Sequence, residues 1–318
     1  MTRFLITGVS GLLGLNLALF AASGENVVGT VYSHELKNVP FIVNQVDLKD
    51  SREINDCVEV ADPEVIINCA AMANLDACEK EPEIAELLNI DLPIALAEIA
   101  KKRNIKLMHI STDAVFDGQR GNYVEEDLPN PLSVYGHTKL EAEKGVLSAN
   151  PDALIVRVNF YGYSLLGKRS LAEFFLYNLA AGTRVFGFND VNFCPLLVQD
   201  LASILFGMIK KDLKGIYHVV SPESLTKYDF GVRIARLFDL NENLVEAVNV
   251  GKGGLNARRS PNLTLCIDKL LQDLEQEIPG QDEGLLKFHK LFKQGYPEKL
   301  RAFLSSDENM PDNGEQKC

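Results

Sequence analysis

The chain has 318 residues and a mass of 35.2 kDa, a length that suits one large α/β domain or two smaller ones. Hydrophobic residues make up 46% of the sequence and charged residues 24%, which excludes a disordered chain, a coiled coil and a collagen-like fibre. The formal charge of −12 repels phosphate backbones, so nucleic acid is not an expected partner.

The six cysteines are scattered and form no CxxC pair, so the sequence predicts neither a metal site nor a disulfide framework. Reduced thiols are typical of a cytoplasmic protein, and the cytoplasm is the location that we expect. No apolar run reaches the ~18 residues of a membrane span, and the apolar stretch from Phe4 to Ala22 lacks the cleavage site of a signal peptide. We expect a monomer or a homodimer.

Strand-like and helix-like segments alternate through the first half of the chain. The predicted strands are Phe4–Thr7, Asn26–Tyr32, Phe41–Val46, Val65–Cys69, Ile105–Ile110 and Ala153–Val158. The predicted helices are Leu12–Ala22, about Glu83–Arg103 and Leu132–Ser148. Because the strands are nearly all apolar, they indicate a doubly wound parallel sheet of the Rossmann type, covered by helices on both faces.

After about residue 160 the pattern is less regular, with predicted helices at Leu171–Ala181 and Lys227–Phe238 and a strand at Gly215–Val220. We therefore expect a dinucleotide-binding domain over residues 1–160. A smaller substrate-binding lobe is expected over residues 161–304, interleaved with the last strands of the sheet. The polar segment 305–318 is predicted to be a mobile tail.

A glycine-rich turn directly follows the first predicted strand. In a turn with this context, the first glycine permits a tight bend, the second lets backbone N–H groups approach a pyrophosphate, and the third lets the helix pack close to the strand. The N-terminus of the helix then offers unpaired N–H donors to phosphates. The residues expected to contact a dinucleotide here are Gly8, Ser10, Gly11, Leu12, Leu13 and Gly14.

The end of the second predicted strand bears on which dinucleotide is bound. An Asp or Glu at this point would bind the ribose 2′-hydroxyl of NAD. No acid stands directly at the strand end, and Ser33, His34 and Lys37 suit a 2′-phosphate, so the sequence favours NADP. NAD is the alternative if the turn places Glu35 inward.

Tyr135 and Lys139 stand four residues apart on a predicted helix and therefore project from one face of it. Asn130 is a suitable N-cap for this helix, and Pro131 suits its first turn. A phenol has an unperturbed pKa near ~10, and a nearby ammonium lowers it, so that the phenol can exchange a proton with a carbonyl or an alcohol. His137 projects to the opposite side and is interpreted as a surface or packing residue.

Hydroxyl and carboxyl side chains end the fifth predicted strand. Ser111, Thr112 and Asp113 stand there, at the edge where ligands of open parallel sheets bind. A hydroxyl at this point can bind the carbonyl oxygen that Tyr135 protonates. We assign this role to Thr112, with Ser111 as the alternative.

The GxxGxxG spacing resembles the extended branch of the short-chain dehydrogenase/reductase superfamily. Five segments look like the dTDP-4-dehydrorhamnose reductase family within it, namely Asn68–Ala71, Ser111–Gly118, Pro131–Glu141, Gly215–Val219 and Arg259–Asn262. That family reduces the 4-keto group of a nucleotide-linked 6-deoxyhexose with NAD(P)H. The resemblance implies a catalytic trio of Thr112, Tyr135 and Lys139, of which Tyr135 and Lys139 also contact the cofactor.

The same resemblance implies further contacts. Asp47 and Leu48 match the position that meets the adenine, and the small residues of the loop Cys69, Ala70 and Ala71 let the backbone approach the cofactor. The implied substrate contacts are Ser111, Asp113 and Arg259. Arg258 and Arg259 are also candidates for holding the diphosphate of a nucleotide sugar.

The sequence departs from the family at two places that could touch substrate. Ala114 replaces the aromatic residue of the family's STDYVF motif, and Arg258-Arg259-Ser260-Pro261 stands where the family has an Arg-Pro pair. The identity of the sugar is therefore open. A sugar-nucleotide epimerase is an alternative, whereas dehydration is disfavoured because Ala114 follows Thr112-Asp113 in place of a second carboxylate.

A second alternative belongs to a different functional class. The regulatory β subunit of methionine adenosyltransferase has a similar sequence, binds NADP and acts as a partner protein. The segment Leu225–Tyr228 resembles its C-terminal lobe. On this hypothesis the dinucleotide site is a binding module with little turnover, and an intact Thr/Tyr/Lys trio does not exclude it.

Overall fold

The computed structural model describes residues 1–252 and 257–304, and the tail predicted over 305–318 lies outside the described residues. The strands are β1 Arg3–Thr7, β2 Asn26–Val31, β3 Ile42–Gln45, β4 Val65–Asn68, β5 Lys106–Thr112, β6 Leu154–Val158, β7 Phe160–Tyr161, β8 Val185–Phe188, β9 Asn192–Phe193, β10 Leu196–Leu197, β11 Gly215–Val219, β12 Leu225–Thr226 and β13 Val245–Val248. The helices are α1 Leu12–Ala21, α2 Ser51–Ala61, α3 Leu75–Lys80, α4 Pro82–Glu86, α5 Leu92–Arg103, α6 Val134–Ala149, α7 Leu171–Ala180, α8 Val198–Lys210, α9 Lys227–Leu237, α10 Asp268–Leu274, α11 Gln281–Lys293 and α12 Tyr296–Arg301.

Seven parallel strands form the central sheet in the order β11-β6-β5-β4-β1-β2-β3. The chain builds outward from β1 in both directions, so the strand order reverses between β1 and β4. This confirms the predicted doubly wound, Rossmann-like sheet. Ligands of such sheets bind outside the carboxyl ends of the strands, at the point where the strand order reverses. In this protein that point lies beside the glycine turn, which follows β1.

Alternate side chains of each strand bury opposite faces of the sheet. On β1, Phe4 and Ile6 join a core shared with α1 and α8, whereas Leu5 joins a second core formed with α2, α5 and α6. Every residue of β4 is buried as a result. Burial on both faces explains why the strand sequences are continuous apolar runs without alternation.

The second half of the chain contributes both to a smaller lobe and to the sheet. The lobe contains the short parallel pairs β7–β10 and β8–β13 and the antiparallel pair β9–β12, with α7 packed against α9. Between these elements, α8 packs against α1 and β11 pairs with β6 of the main sheet. The predicted interleaving of the lobe with the last strands is therefore present, while the domain boundaries stay a prediction.

The helix predicted over about Glu83–Arg103 is interrupted. It consists of α4, a π-helical turn over Leu87–Asp91, and α5. Pro93 has no N–H to bond the carbonyl of Asn89 four residues earlier, so a regular α-helical ladder cannot pass this point. The wider turn directs the side chain of Asn89 into the interior, where it is fully buried.

The start of α6 also differs from the prediction. The N-cap is Ser133, whose Oγ accepts a hydrogen bond from the backbone N–H of Gly136 at 3.1 Å. The predicted N-cap, Asn130, is wrong, because its side chain donates to Asp117 instead. Ser133 has extended backbone geometry immediately before the helix, which is the conformation that a capping hydroxyl requires.

Two of the helices beside the central sheet, α2 and α8, were not predicted, and neither was the short helix α3. In α2 the signals are an N-cap at Asp50, which accepts from the N–H of Arg52, and buried residues Ile54, Cys57 and Val58 at helical spacing. Helix α8 follows β10 without a side-chain cap, so its sequence gives no local start signal. Each helix within residues 1–252 and 257–304 is too short or too polar to cross a bilayer.

Candidate active site

A cleft of about 430 Å³ opens at the carboxyl edge of the central sheet. The main domain contributes the glycine turn, the loop after β4, the ends of β5 and β6, and the first turns of α6. The lobe contributes four cationic side chains, Arg169, Lys227, Arg258 and Arg259. The cleft therefore joins a dinucleotide-type turn to a locally basic wall in an otherwise acidic protein.

A second cavity, also about 430 Å³, lies at the opposite, amino-terminal edge of the sheet. Its lining lysines form ion pairs, Lys101 and Lys214 with Asp152 and Lys106 with Asp212. These pairs are about half exposed, and ion pairs of this kind contribute little to stability. This cavity holds none of the residues that the sequence singles out.

The glycine turn has the geometry that the sequence predicts. Gly8 has a φ of +70°, and a Cβ there would lie 3.0 Å from the Cα of Ala70. A Cβ at Gly14 would lie 2.4 Å from the carbonyl oxygen of Gly8. Gly11 is the N-cap of α1 and provides no capping side chain, and the first turn of α1 has no acidic residue. The N–H groups at this helix start are thus directed at the cleft without an internal anion.

The residues predicted to contact the adenosine half lie after β2 and β3 at the same edge of the sheet. The Oγ of Ser33 lies 3.1 Å from Nδ1 of His34. Glu35 is turned outward, with 69% of its side chain exposed and a salt bridge to Lys37. Asp47 accepts from the backbone N–H of Lys49, and Leu48 packs against the second core. The outward position of Glu35 favours NADP, as the sequence predicts, over the alternative NAD.

The loop after β4 is fixed to β1 through its backbone. The N–H groups of Cys69 and Ala70 both donate to Oγ1 of Thr7, each at 3.1 Å, while Cys69 and Ala71 line the cleft. Burial raises the pKa of the Cys69 thiol to about 12, so this thiol stays protonated. The loop presents small, uncharged groups to the cleft.

The structure brings Thr112, Tyr135 and Lys139 together on one wall of the cleft. Thr112 ends β5, and Tyr135 and Lys139 lie one turn apart on α6. The hydroxyl of Thr112 donates to Oδ1 of Asp113 at 3.1 Å and accepts from the N–H of Ala114. Nζ of Lys139 donates to the carbonyl of Ile110 at 2.7 Å, and 2% of this residue is exposed.

One expectation about these groups is wrong for this structure. The sequence predicts that the ammonium of Lys139 lowers the pKa of Tyr135, but burial raises that pKa above its usual value. The hydrogen bond with Thr112 opposes this shift, and the nearby carboxyl of Asp113 adds to it. The amine of Lys139 is instead engaged with Ile110 and with Nε2 of His109, which lies 3.1 Å away. Tyr135 is thus a phenol that retains its proton.

The three predicted substrate contacts occupy different environments. Ser111 donates its hydroxyl hydrogen to Oε1 of Glu143 at 2.5 Å, and Thr112 donates to Asp113 at the longer distance of 3.1 Å, so the choice of Thr112 over Ser111 stays a prediction. Asp113 accepts from the Asn159 amide at 2.5 Å, and burial raises the pKa of Asp113 to about 6. Arg259 lines the cleft and forms a salt bridge of 3.2 Å with Asp76 on α3.

One buried residue that supports the site, Asn89, was not predicted from the sequence. Asn89, in the π turn, accepts from the N–H of Met72 at 2.8 Å and donates to Oγ1 of Thr138, which in turn donates to the carbonyl of Tyr135. The signal that could have identified Asn89 is its position four residues before Pro93 within the predicted helix. Asn89 thereby joins the loop after β4 to the helix that carries Tyr135.

The comparisons with known proteins agree with this geometry. A family model described as the RmlD substrate binding domain matches residues 2–293. The chain belongs to this family. A probable low-salt glycan biosynthesis reductase, Agl14, of Haloferax volcanii is 34% identical over 282 residues, covering 86% of this chain and 91% of its own. The methionine adenosyltransferase 2 subunit beta of Mus musculus is 31% identical over 315 residues, covering 95% of this chain and 88% of its own.

Solved structures of the family match over nearly the whole described chain. A hypothetical dTDP-4-dehydrorhamnose reductase from Sulfolobus tokodaii has a TM-score of 0.79 and 30% identity, covering 89% of this chain and 98% of its own. A dTDP-4-dehydrorhamnose reductase from Bacillus anthracis, solved in complex with NADP, has a TM-score of 0.79 and 26% identity, covering 90% of this chain and 98% of its own. The family predicted from the sequence motifs is confirmed. Among the described residues of this member, no cluster of three or more His, Cys, Asp or Glu side chains is arranged to hold a metal ion.

Proposed function

We propose that the chain is an NADP(H)-dependent reductase that acts on the 4-keto group of a nucleotide-linked deoxysugar. The observation that carries this proposal is the meeting of Thr112, Tyr135 and Lys139 in the cleft that also contains the glycine turn. The proton donor Tyr135 on α6 and the hydroxyl of Thr112 at the end of β5 thereby lie in the same cleft as the glycine turn. The reductases named among the relatives support the same reaction class.

The residues present fit a dinucleotide. The Gly8–Gly14 turn forms a cradle that a single Cβ would fill, and the start of α1 directs unpaired N–H groups into it. Ser33 and His34 would hold the 2′-phosphate of NADP, because Glu35 is turned to solvent and leaves no acid to repel it. When bound, NADPH supplies the hydride that reduces the ketone carbon.

Replacing Gly14 by Ala tests the cradle. The added Cβ would lie 2.4 Å from the carbonyl oxygen of Gly8, so α1 must shift away from β1. We expect NADP⁺ affinity, measured by calorimetry, to fall at least about tenfold, in line with an overpacking cost of ~1–3 kcal/mol. Gly24→Ala is the matched control, since nothing lies within 4 Å of a Cβ there. Equal affinity in the two variants would contradict the assignment of the cradle.

The chain's own residues would handle the proton and the carbonyl. Reduction turns the carbonyl oxygen into an alkoxide, which is a stronger base than a phenolate. Tyr135, whose pKa is raised by burial, retains the proton that this alkoxide needs, so the transfer is downhill. Thr112, by turning its hydroxyl hydrogen from Asp113 to the substrate, would orient the oxygen, and Arg258 and Arg259 are positioned to attract a substrate diphosphate.

A panel of 4-keto nucleotide sugars tests the reaction. We expect at least one of them to consume NADPH, seen as loss of nicotinamide absorbance, with one secondary alcohol formed per NADPH and a slower rate with NADH. Product analysis by NMR gives the sugar and the new stereocentre. An isomerised product without net loss of NADPH would point to epimerisation and contradict the reductase proposal.

A second candidate function is supported by the likeness to the methionine adenosyltransferase 2 subunit beta, which spans 95% of this chain. On this alternative the chain binds NADP and regulates a methionine adenosyltransferase. Size-exclusion chromatography with the catalytic subunit would then show a stable complex whose synthetase activity differs from that of the subunit alone. Formation of this complex, together with no oxidation of NADPH by any sugar nucleotide of the panel, would favour the regulatory role.

A further inference from the structure

The short helix α3 stands between the helix that carries Tyr135 and the arginine segment of the lobe. On one side, Oε1 of Glu79 accepts a hydrogen bond from the backbone N–H of Val134, the first residue of α6, at 2.9 Å. On the other side, the carboxylate of Asp76 contacts residues 257–259. A single short helix therefore joins the two walls of the cleft.

The carboxylate of Asp76 uses both of its oxygens to contact the lobe. Oδ1 accepts from the backbone N–H of Ala257 at 2.7 Å, and Oδ2 accepts from Nη2 of Arg259 at 3.2 Å. Nη1 of Arg259 in turn donates to the carbonyl of Ala257 at 3.2 Å. The side chains of Arg259 and Asp76 are 15% and 28% exposed, so the pair is mostly shielded from solvent. The three residues form a closed ring of contacts that holds the guanidinium in one orientation.

The backbone next to Arg259 is fixed independently of this ring. Oγ of Ser260 donates to the carbonyl of Phe116 at 2.9 Å, and Ser260 is buried. A fixed backbone still leaves the long side chain of Arg259 with several rotatable bonds, whose freedom has an entropic cost when the side chain is ordered. The ion pair with Asp76 therefore selects the direction of the guanidinium, whereas Ser260 anchors the segment that carries it.

We propose that Asp76 is a positioning residue that holds the guanidinium of Arg259 at a fixed place relative to Tyr135, where Arg259 binds the diphosphate of a nucleotide-linked substrate. Arg259 and Tyr135 line the same cleft. The guanidinium is planar and has more N–H groups than its contacts with Asp76 and Ala257 use, so it can donate to a phosphate while Asp76 still holds it. The proposal rests on the proposed function in taking a nucleoside diphosphate as the group that enters the cleft.

The pairing with Asp76 determines how Arg259 recognises an anion. The carboxylate offsets the long-range attraction of this guanidinium, so Arg259 contributes directed hydrogen bonds more than net charge. A guanidinium that is already oriented loses little side-chain freedom when the anion arrives, and this preorganisation favours binding. The neighbouring Arg258 is exposed and lines the same cleft, so it supplies attraction over distance.

Binding of free nucleoside diphosphates tests this role without turnover. The affinities of dTDP, UDP, GDP and CDP for the full chain are measured by calorimetry with saturating NADP⁺, which keeps these nucleotides out of the dinucleotide half of the cleft. In Asp76→Asn the amide can still accept from the N–H of Ala257, but it cannot form the ion pair with Arg259. We expect the wild type to bind at least one of the four nucleotides, and Asp76→Asn to bind it about three- to tenfold more weakly.

Asp56→Asn is the matched control for this variant. Asp56 is exposed on α2 and lies outside the lining of the cleft, so the substitution removes the same charge from a remote surface. We expect the nucleotide affinity of Asp56→Asn to equal that of the wild type. A change in Asp76→Asn that exceeds the change in Asp56→Asn is then a local effect and not an effect of the net charge of the protein.

A double-mutant cycle shows whether Asp76 acts through Arg259. Arg259→Gln should weaken nucleotide binding at least as much as Asp76→Asn, because it removes the donors themselves. Adding Asp76→Asn to Arg259→Gln should cause no further loss, so that the coupling equals the whole effect of Asp76→Asn. With a substrate from the 4-keto panel, Asp76→Asn should raise KM by the same factor and change kcat by less than about twofold, a split that general damage to the fold would not produce.

Three results overturn the proposal. Equal or tighter nucleotide binding in Asp76→Asn would mean that Asp76 does not orient Arg259 for the ligand or withholds it. An additive loss in the double variant would give Asp76 a role that is independent of Arg259. A wild type that binds none of the four nucleotides would remove Arg259 as a diphosphate anchor. A chain that shows the expected binding and reduces no sugar nucleotide fails the proposed function alone, whereas one that reduces a sugar nucleotide with additive losses fails this proposal alone.

Discussion

Replacing Tyr135 by Phe should nearly abolish reduction of the substrate identified in the panel while leaving NADP⁺ binding intact. Phe keeps the ring that fills the cleft wall but has no proton for the alkoxide. Loss of a positioned general acid lowers kcat by about 10²–10⁴-fold, equivalent to roughly 3–5 kcal/mol of transition-state stabilisation. Steady-state turnover and calorimetric NADP⁺ affinity, measured on the same preparation, separate chemistry from binding.

His137→Gln is the matched control for this variant. His137 lies on the same helix, two residues from Tyr135, and is exposed on the side away from the cleft. We expect turnover in His137→Gln to equal that of the wild type. Full activity in Tyr135→Phe would remove the phenol from the mechanism, whereas equal losses in both variants would indicate damage to α6 in place of a chemical role.

Replacing Glu143 by Gln should produce the largest loss of stability among single polar substitutions in the main domain. Glu143 and Arg157 form an ion pair of 2.7 Å in which each side chain is only 2% exposed. The guanidinium lies 5.0 Å from the ring centroid of Phe116, and its Nη1 lies 3.3 Å from His218, whose pKa is lowered to about 3 by burial and by Arg157. His218 is therefore neutral, and it provides no negative charge that could pair with Arg157 once the carboxylate is removed.

Removing one partner of a buried ion pair costs about 3–5 kcal/mol, because the remaining charge has no counter-ion. For a protein of this size we expect a fall in Tm of roughly 10 °C, measured by thermal unfolding. Asp152→Asn, which breaks exposed pairs with Lys101 and Lys214, should change the free energy of unfolding by less than about 1 kcal/mol. Equal effects of the two substitutions would show that burial does not strengthen the inner pair.

A double variant, Glu143→Leu with Arg157→Met, refines this prediction. Apolar side chains of similar size remove both charges together, so much of the stability lost in Glu143→Gln should return. The recovery should be incomplete, since Ser111 would lose the carboxylate to which it donates. Because Ser111 precedes Thr112, a fall in turnover that exceeds the fall in stability would show that this pair also positions the end of β5.

The parts of the molecule that the sequence predicted are those where local signals and tertiary structure agree. The continuous apolar strands and the glycine turn need no distant partner to be recognised, so the parallel sheet and the position of the glycine turn were correctly predicted. The start of α6 was misplaced because Asn130 and Ser133 are both good capping residues. The choice between them depends on Asp117, which takes the side chain of Asn130 and is remote from the helix in sequence.

The parts that escaped prediction depend on contacts between distant segments. The pKa of Tyr135 could not be inferred from the spacing to Lys139, because the amine of Lys139 is drawn to Ile110 and His109 on β5. The role of Asn89 likewise depends on Met72 and Thr138, which lie on either side of it in the fold. Both cases concern buried polar groups, whose partners are set by tertiary packing more than by local sequence.

The return of β11 to the edge of the main sheet has a consequence for engineering. Residues 215–219 pair with β6 after the chain has already passed through α7 and the short strands of the lobe. A lobe taken from a relative and joined after residue 160 by a single junction would also exchange the seventh strand, β11, and the helix that packs on α1, α8. Transplants that exchange the lobe alone would need at least two crossover points, chosen on either side of α8 and β11.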